Sequence, residues 1–227
     1  MTQVNATYDR RTVDSPNPVV RFAHRSRIKT STSLASRFLP KGGRLVDFGA
    51  GTGTFLSNFL TIRPDASACA IEPYQEILDP EIDQVKALTD VEAGSVDVIT
   101  SLEVCEHLTD EELDTFLEDS ARALKADGRL IVTVPIMYGL TLPVKEGSRI
   151  LLYRNGSQYS AGEMMRAVTG QPIERTSKRK KSHKGFDFRW LQRQIETRFA
   201  IVEERTSPFN ALPWWMNSQA MMIAKKR

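Results

Sequence analysis

An α/β fold, doubly wound around a mostly parallel sheet, is what the order of segments predicts. Three observations carry that prediction. Short apolar runs that read as strands alternate with segments of helical spacing, and parallel strands need crossover helices. One such run, Arg44 to Phe48, passes through Asp47 into Gly49-Ala50-Gly51-Thr52-Gly53 and then into a helical stretch, Thr54 to Leu60. The 227 residues are 41% hydrophobic and 26% charged, which suits a globular chain of one large or two small domains.

Taken in order, residues 1–18 are polar, broken by Ser15-Pro16-Asn17-Pro18, and read as an arm or lid. Val19 to Leu39 reads as helix, in one or two pieces, anchored by Phe22, Ala23, Ile28, Leu34 and Phe38. Its first half is basic (Arg21, His24, Arg25, Arg27), and Pro40-Lys41-Gly42-Gly43 ends it. Arg44 to Phe48 is the first strand. Ala66 to Ile71 is the second, ending at Glu72, Gln84 to Leu88 a weak third, and Val96 to Leu102 the fourth. Thr109 and Glu112 form a capping box for a helix carried by Leu113, Phe116, Leu117 and Leu124. Ala126-Asp127-Gly128 is its expected stop and Arg129 to Val134 the fifth strand.

Met137 to Lys184 shows no clean periodicity and is rich in glycine, with Pro143 and Pro172. Such a stretch is usually functional or disordered, and it reads as a lid holding one short helix, Ser160 to Val168. Asp187 to Thr197 is helical through Phe188, Leu191 and Ile195. Ala200 to Thr206 and Gln219 to Lys225 are closing strands, bridged by Pro208 to Trp215. The organisation expected is a single domain over 1–227: arm and helix (1–39), ligand-binding core (40–136), insertion or lid (137–185), and closing helix and strands (186–227).

Composition narrows the setting. No apolar leader precedes a small-residue cleavage site, and the most apolar stretch, Leu130 to Val144, is broken by Pro135, Gly139 and Pro143. Cys69 and Cys105 lack metal-site spacing, so a reduced, cytoplasmic chain is expected. The net charge of +3 says little about partners. The run Lys178-Arg179-Lys180-Lys181, with Arg175 and Lys184 nearby, would suit phosphates of RNA, a nucleotide-linked sugar or a lipid head group. Most runs of this kind are solvated loops. Few aromatics interleave with it, so base stacking is not indicated.

The glycine loop lets a ligand approach backbone amides and a helix N-terminus. A dinucleotide fingerprint is G-x-G-x-x-G, whereas here the spacing is G-x-G-x-G, with Thr54 in the third glycine's place. The stretch Val46-Asp47-Phe48-Gly49-Ala50-Gly51-Thr52-Gly53 resembles motif I of the class I S-adenosylmethionine (SAM) methyltransferases. That resemblance implies a seven-stranded sheet with an antiparallel last strand, S-adenosyl-L-methionine as cofactor, and methyl transfer as activity. It implies that Gly49, Ala50, Gly51 and Gly53 wrap the methionine part and that Glu72 holds the ribose hydroxyls. Pro73 and Tyr74 follow Glu72, and Leu88 lies where the adenine edge is read. Asp47 contacts the methionine end or caps the glycine turn, and both readings stand.

A second stretch, Asp97 to Leu108, contains Glu103-Val104-Cys105-Glu106-His107-Leu108. It resembles the region after the fourth strand in many small-molecule O-methyltransferases, including ubiquinone-pathway enzymes. The resemblance places Ser101, Leu102 and Glu103 beneath the reacting methyl. His107, with Glu106 beside it, is then a candidate general base for a hydroxyl acceptor. Alternatively the pair caps and orients the next helix. Glu103, Glu106, His107 and His183 together resemble the metal set of small-RNA 2′-O-methyltransferases, but the residues after His183 match that family loosely, so no metal is expected. Ser207-Pro208-Phe209 through Asn217-Ser218-Gln219 is similar to bacterial methyltransferases of surface-polysaccharide pathways. This implies a small molecule or sugar conjugate as acceptor. An RNA ribose methyltransferase and a non-catalytic SAM-binding regulator are the alternatives. Trp190, Trp214 and Trp215 line an acceptor pocket or belong to the core.

Overall fold

A computed structural model describes residues 18–74, 76–77, 79–154, 156–175 and 183–227. The expected arm and the basic run 178–181 lie outside them. The elements are α1 (Pro18–Phe38), β1 (Arg44–Phe48), α2 (Thr54–Ile62), β2 (Ser67–Ile71), β3 (Ile82–Val85), β4 (Val96–Leu102), α3 (Asp110–Ala123), β5 (Leu124–Pro135), α4 (Thr141–Tyr153), α5 (Ala161–Val168), α6 (Phe188–Ile195), β6 (Phe199–Ser207) and β7 (Gln219–Lys226). The seven strands are ordered β3-β2-β1-β4-β5-β7-β6, mostly parallel, with the last strand antiparallel. This is the doubly wound sheet read from the sequence. The chain divides into two compact units, one running to Leu102 and taking in 119–131 and Lys226, the other holding Glu103–Glu118, Val132–Lys225 and Arg227.

In the first unit, β1 pairs in parallel with β2 and with β4, and β2 with β3. Leu45, Val46 and Asp47 are buried in succession. A run of that kind belongs to a strand covered on both faces, so its sequence does not alternate. α2 packs Phe55, Leu56, Phe59 and Leu60 inward, at the spacing of one helical face. Just beyond its end, the Arg63 guanidinium donates to Ser36 O at 3.1 Å, Leu39 O at 3.1 Å and Pro40 O at 2.9 Å. It thereby satisfies carbonyls that the end of α1 leaves without helical partners. Asp97 accepts from Arg44 N at 2.8 Å and from Lys125 Nζ at 2.7 Å, binding β1, β4 and β5 at one edge.

The third strand and the junction of α3 with β5 differ most from expectation, while most other ends agree to within two residues. The third strand is Ile82–Val85 rather than Gln84 to Leu88, and Leu88–Asp90 forms a single 3-10 turn. Leu88 is almost fully buried, and its carbonyl accepts from Arg122 Nη2 at 2.6 Å, an anchor that holds it in the turn. α3 ends at Ala123 rather than at Gly128, and β5 begins at Leu124. Its last carbonyls have other partners: Gly94 N donates to Arg122 O at 2.9 Å and Ser95 N to Ala123 O at 3.0 Å, so no glycine stop is needed. Its start is as read, with Thr109 N on Glu112 Oε2 at 2.8 Å and Glu112 N on Thr109 Oγ1 at 3.2 Å.

In the second unit, residues 137–173 differ from the aperiodic stretch expected. They contain two helices and a small core of Tyr138, Leu142, Tyr159, Ala167 and Ile173, against which Met137, Met164 and Trp214 pack. Pro143 stands in the first turn of α4, where the amide it lacks would have no helical partner. α4 also carries polar groups inward, which hides its apolar face in the sequence. Glu146 accepts from Arg149 at 2.8 and 2.9 Å and from Gln158 N at 2.6 Å. Lys145 Nζ donates to Ile136 O at 2.9 Å and Ser218 O at 2.8 Å. α5 opens on Ser160, in a reciprocal capping box with Glu163.

Between β6 and β7 the chain folds around Asn217, which is fully buried. Its Oδ1 accepts from Phe209 N at 2.8 Å. Its Nδ2 donates to Phe209 O at 3.0 Å, Leu212 O at 3.1 Å and Pro213 O at 3.2 Å.

Candidate active site

In the first unit, the end of β1 and the loop after it form a cradle of backbone. Gly49, Gly51 and Gly53 adopt φ of 75°, 57° and 76°, a region glycine enters without steric cost. Gly49 N donates to Ile71 O at 2.9 Å, holding the loop to the end of β2. A Cβ on Gly53 would lie 2.8 Å from Ile77 Cγ2, so close packing as well as the positive φ requires glycine there. Glu72, at the end of β2, is 8% exposed and accepts from Gly51 N at 3.0 Å and from Tyr74 N at 2.9 Å. An ionised carboxylate has about four acceptor sites, so capacity remains for a pair of hydroxyl donors.

Asp47 is buried, and register places it beside Thr100 on β4. Thr100 Oγ1 donates to Asp47 Oδ1 at 2.6 Å. Burial pushes the Asp47 carboxyl up to about 7; the Thr100 hydrogen bond opposes this, and the Glu72 carboxylate adds to it. A cationic group bound there would favour the charged form. Ser101 is buried at the end of β4 and Leu102 half-buried. Ala50 is half-buried in the loop, Pro73 is exposed, and Tyr74 is 94% exposed.

The second unit brings three predicted residues together. Cys105–His107 form a 3-10 turn directly before α3, which presents Glu106 and His107 side by side. His183 joins them from 76 residues away, with its Nε2 at 3.3 Å from His107 Nε2. Glu106 Oε1 lies 3.9 Å from each of these nitrogens. The Glu106 side chain is fully buried, and the two rings are 35% and 37% exposed. Arg175 Nη2 donates to Glu106 O at 2.6 Å and fixes the turn's backbone. Burial, with His107, Lys145 and Arg175 nearby, pushes His183 down to about 4, so its ring is neutral at neutral pH.

Glu103, grouped with these three in the sequence, stands apart from them. Its backbone is left-handed, at φ 61°, a conformation that costs a non-glycine residue on the order of 1–3 kcal/mol. Its carboxylate accepts from Gln219 Nε2 at 3.0 Å, and its amide donates to Thr133 O at 2.9 Å. The roles of Lys145 and Gln219 have no sign in the sequence: no motif marks Lys145, and Gln219 appears only as the end of the Ser207–Gln219 likeness. The sequence also left the tryptophans open: Trp214 packs edge-on against Phe188 at 5.6 Å and beside the small core, while Trp215 is 39% exposed.

Residues 21–174 match the family described as methyltransferase domain, and the chain belongs to that family. It is an enzyme of the SAM-dependent methyltransferase class, and S-adenosyl-L-methionine is its cofactor. Among solved structures, a Pyrococcus horikoshii protein matches over all of both chains, with 12% identity and a TM-score of 0.61. A SAM-dependent methyltransferase from Aquifex aeolicus matches over 95% of each chain, with 13% identity and a TM-score of 0.57. A TehB-like SAM-dependent methyltransferase from Corynebacterium glutamicum covers 99% of this chain and 97% of its own, with 15% identity and a TM-score of 0.55. At these identities the likeness is one of fold. No curated protein matches the sequence significantly. Among the described residues, no helix is long and apolar enough to cross a membrane.

Proposed function

We propose that this methyltransferase acts on an oxygen of a small molecule or sugar conjugate, as one catalytic domain spanning 1–227. The observation that carries the reading is the meeting of Glu106, His107 and His183. An amine acceptor already offers a lone pair. A hydroxyl has to lose a proton as it is methylated, and it gains from a polar group placed to assist. Glu106 and His107 are the catalytic groups in this reading, with His183 completing the corner.

The cofactor, when bound, supplies a methyl already activated on a sulfonium. The chain's part is then to hold and align. We assign Gly49, Ala50, Gly51 and Gly53 to its methionine portion and Glu72 to the ribose hydroxyls. Asp47 goes to the cationic end, and Pro73, Leu88, Ser101, Leu102 and Glu103 to the rest of its surroundings. The spare acceptor capacity of Glu72 and the raised carboxyl of Asp47 support this assignment.

The test is a transfer assay with methyl-labelled SAM and three acceptor panels: hydroxylated small molecules with sugar conjugates, amines, and short RNAs. Label on oxygen in the first panel is the expected result. Label on nitrogen overturns the reading. Label on a terminal ribose of RNA would move the acceptor to nucleic acid.

A further inference from the structure

We infer that Glu106, His107 and His183 form a binding site for a first-row divalent cation, with open positions for a hydroxyl oxygen of the acceptor. The inference deepens the oxygen-methylation reading and rests on it for the ion's use, though not for its binding. Three distances carry it. Glu106 Oε1 stands 3.9 Å from His107 Nε2 and 3.9 Å from His183 Nε2, and the nitrogens are 3.3 Å apart. A point equidistant from the corners of that triangle is about 2.1 Å from each, the length of a bond from zinc to imidazole nitrogen or carboxylate oxygen. A carboxylate that serves an imidazole by hydrogen bonding sits close to one donor, at about 2.7–2.9 Å. Here one oxygen is equally far from both rings, which suits a partner shared between them.

The donor set agrees. Two imidazoles and one carboxylate suit zinc, manganese, iron or cobalt. Three protein ligands leave room for water or substrate, as catalytic rather than structural sites do. The Glu106 side chain is fully buried, which holds its carboxylate in place beside the two rings. The rings are about one-third exposed, so an ion and a hydroxyl can reach them from solvent. Arg175 holds the carbonyl of Glu106 and so fixes the turn that carries two of the ligands. Glu103 is not a ligand, being engaged with Gln219. An ion in this position would lower the pKa of a bound hydroxyl, whose proton passes to solvent water. His107 is then a ligand rather than the base that the sequence suggests.

The test is calorimetric titration of the chelator-stripped full chain with Zn²⁺ and, separately, Mn²⁺, with SAM binding measured on the same samples. One ion per chain, at a Kd of about 10 μM or tighter, is expected. His183→Ala and Glu106→Gln should each weaken it by about 100-fold or more, while SAM affinity stays within about twofold. His183 is one-third exposed, so the alanine variant tolerates the loss, and intact SAM binding shows that it is folded. A wild-type chain that binds SAM but neither ion overturns the inference. So does an ion that binds His183→Ala as tightly as wild type. If the ion binds at these residues and no hydroxyl acceptor is methylated, the site stands and the acceptor reading fails.

Discussion

The glycine cradle and the histidine corner are built from opposite materials. The cradle is backbone: three glycines at positive φ, an amide held to Ile71 O, and a carboxylate that reaches back only 21 residues, from Glu72 to Gly51. The corner is side chain: two imidazoles brought together across 76 residues, with a buried carboxylate between them. A site made of backbone tolerates almost no choice of residue, because what it needs is the absence of a Cβ. A site made of side chains can be assembled from any positions that the fold brings together. The first kind suits a ligand whose shape never varies, and the second a ligand that differs from one enzyme to the next.

That contrast can be broken, and the largest effect should break it first. His107→Ala is expected to lower turnover by about 100-fold or more while leaving SAM affinity within about twofold. Steady-state rates beside calorimetric SAM titrations decide this. A variant with full turnover would show that the corner only shapes the turn before α3, the capping role also open in the sequence.

Glu72→Ala is the mirror experiment. Losing a charged hydrogen-bond partner should weaken SAM by about 1–3 kcal/mol, with ion binding at the corner unchanged. Equal weakening of both ligands would mean that the two regions do not act separately.

The smallest effect sharpens the cradle itself. Asp47 carries a carboxyl raised to about 7, so near neutral pH the free protein holds a mixture of its two forms. A cationic ligand favours the ionised form. SAM affinity should therefore rise with pH between about 6 and 7.5, by at most about tenfold, and Asp47→Asn should flatten the rise. The sign for folding is the reverse. The stability that Asp47 contributes is present below the ordinary aspartate range and is lost as pH rises through 7. Binding curves at several pH values check the first sign, and urea midpoints of both proteins check the second.

Legibility in the sequence followed the same divide. β1 and β4 agree with the sequence to the residue, because each is buried along nearly its whole length and so reads as one compact, mainly apolar run bounded by turn residues. The start of α3 was equally readable, since a capping box is local chemistry between Thr109 and Glu112. α4 was not readable. Its proline sits where a helix tolerates one, and Lys145 and Glu146 are turned toward partners at Ser218 and Gln158, so no apolar stripe marks its inner face. The meeting of His107 and His183 had no local sign at all. Each is an isolated histidine until β5, α4 and α5 have been threaded between them, and only the likeness of Glu103, Glu106, His107 and His183 to a known metal set groups them in the sequence. Conversely Glu103, adjacent in sequence to the corner, is drawn off by Gln219, a residue 116 positions away to which no motif gives that role.

Asn217 has a chemical consequence of its own. Its carboxamide is held by four contacts within the loop: Oδ1 accepts one, and the two hydrogens of Nδ2 are shared among three carbonyls. Spontaneous hydrolysis of that amide would change a single atom, nitrogen to oxygen, and leave an anion facing the carbonyls of Phe209, Leu212 and Pro213. Three attractions would become three repulsions without any change in size. The 208–217 bend therefore carries a built-in ageing point, protected while the fold keeps water from Asn217. An old preparation should reveal it as a mass gain of about one dalton, accompanied by early proteolysis within 208–217, where a chain that loses its packing is preferentially cut.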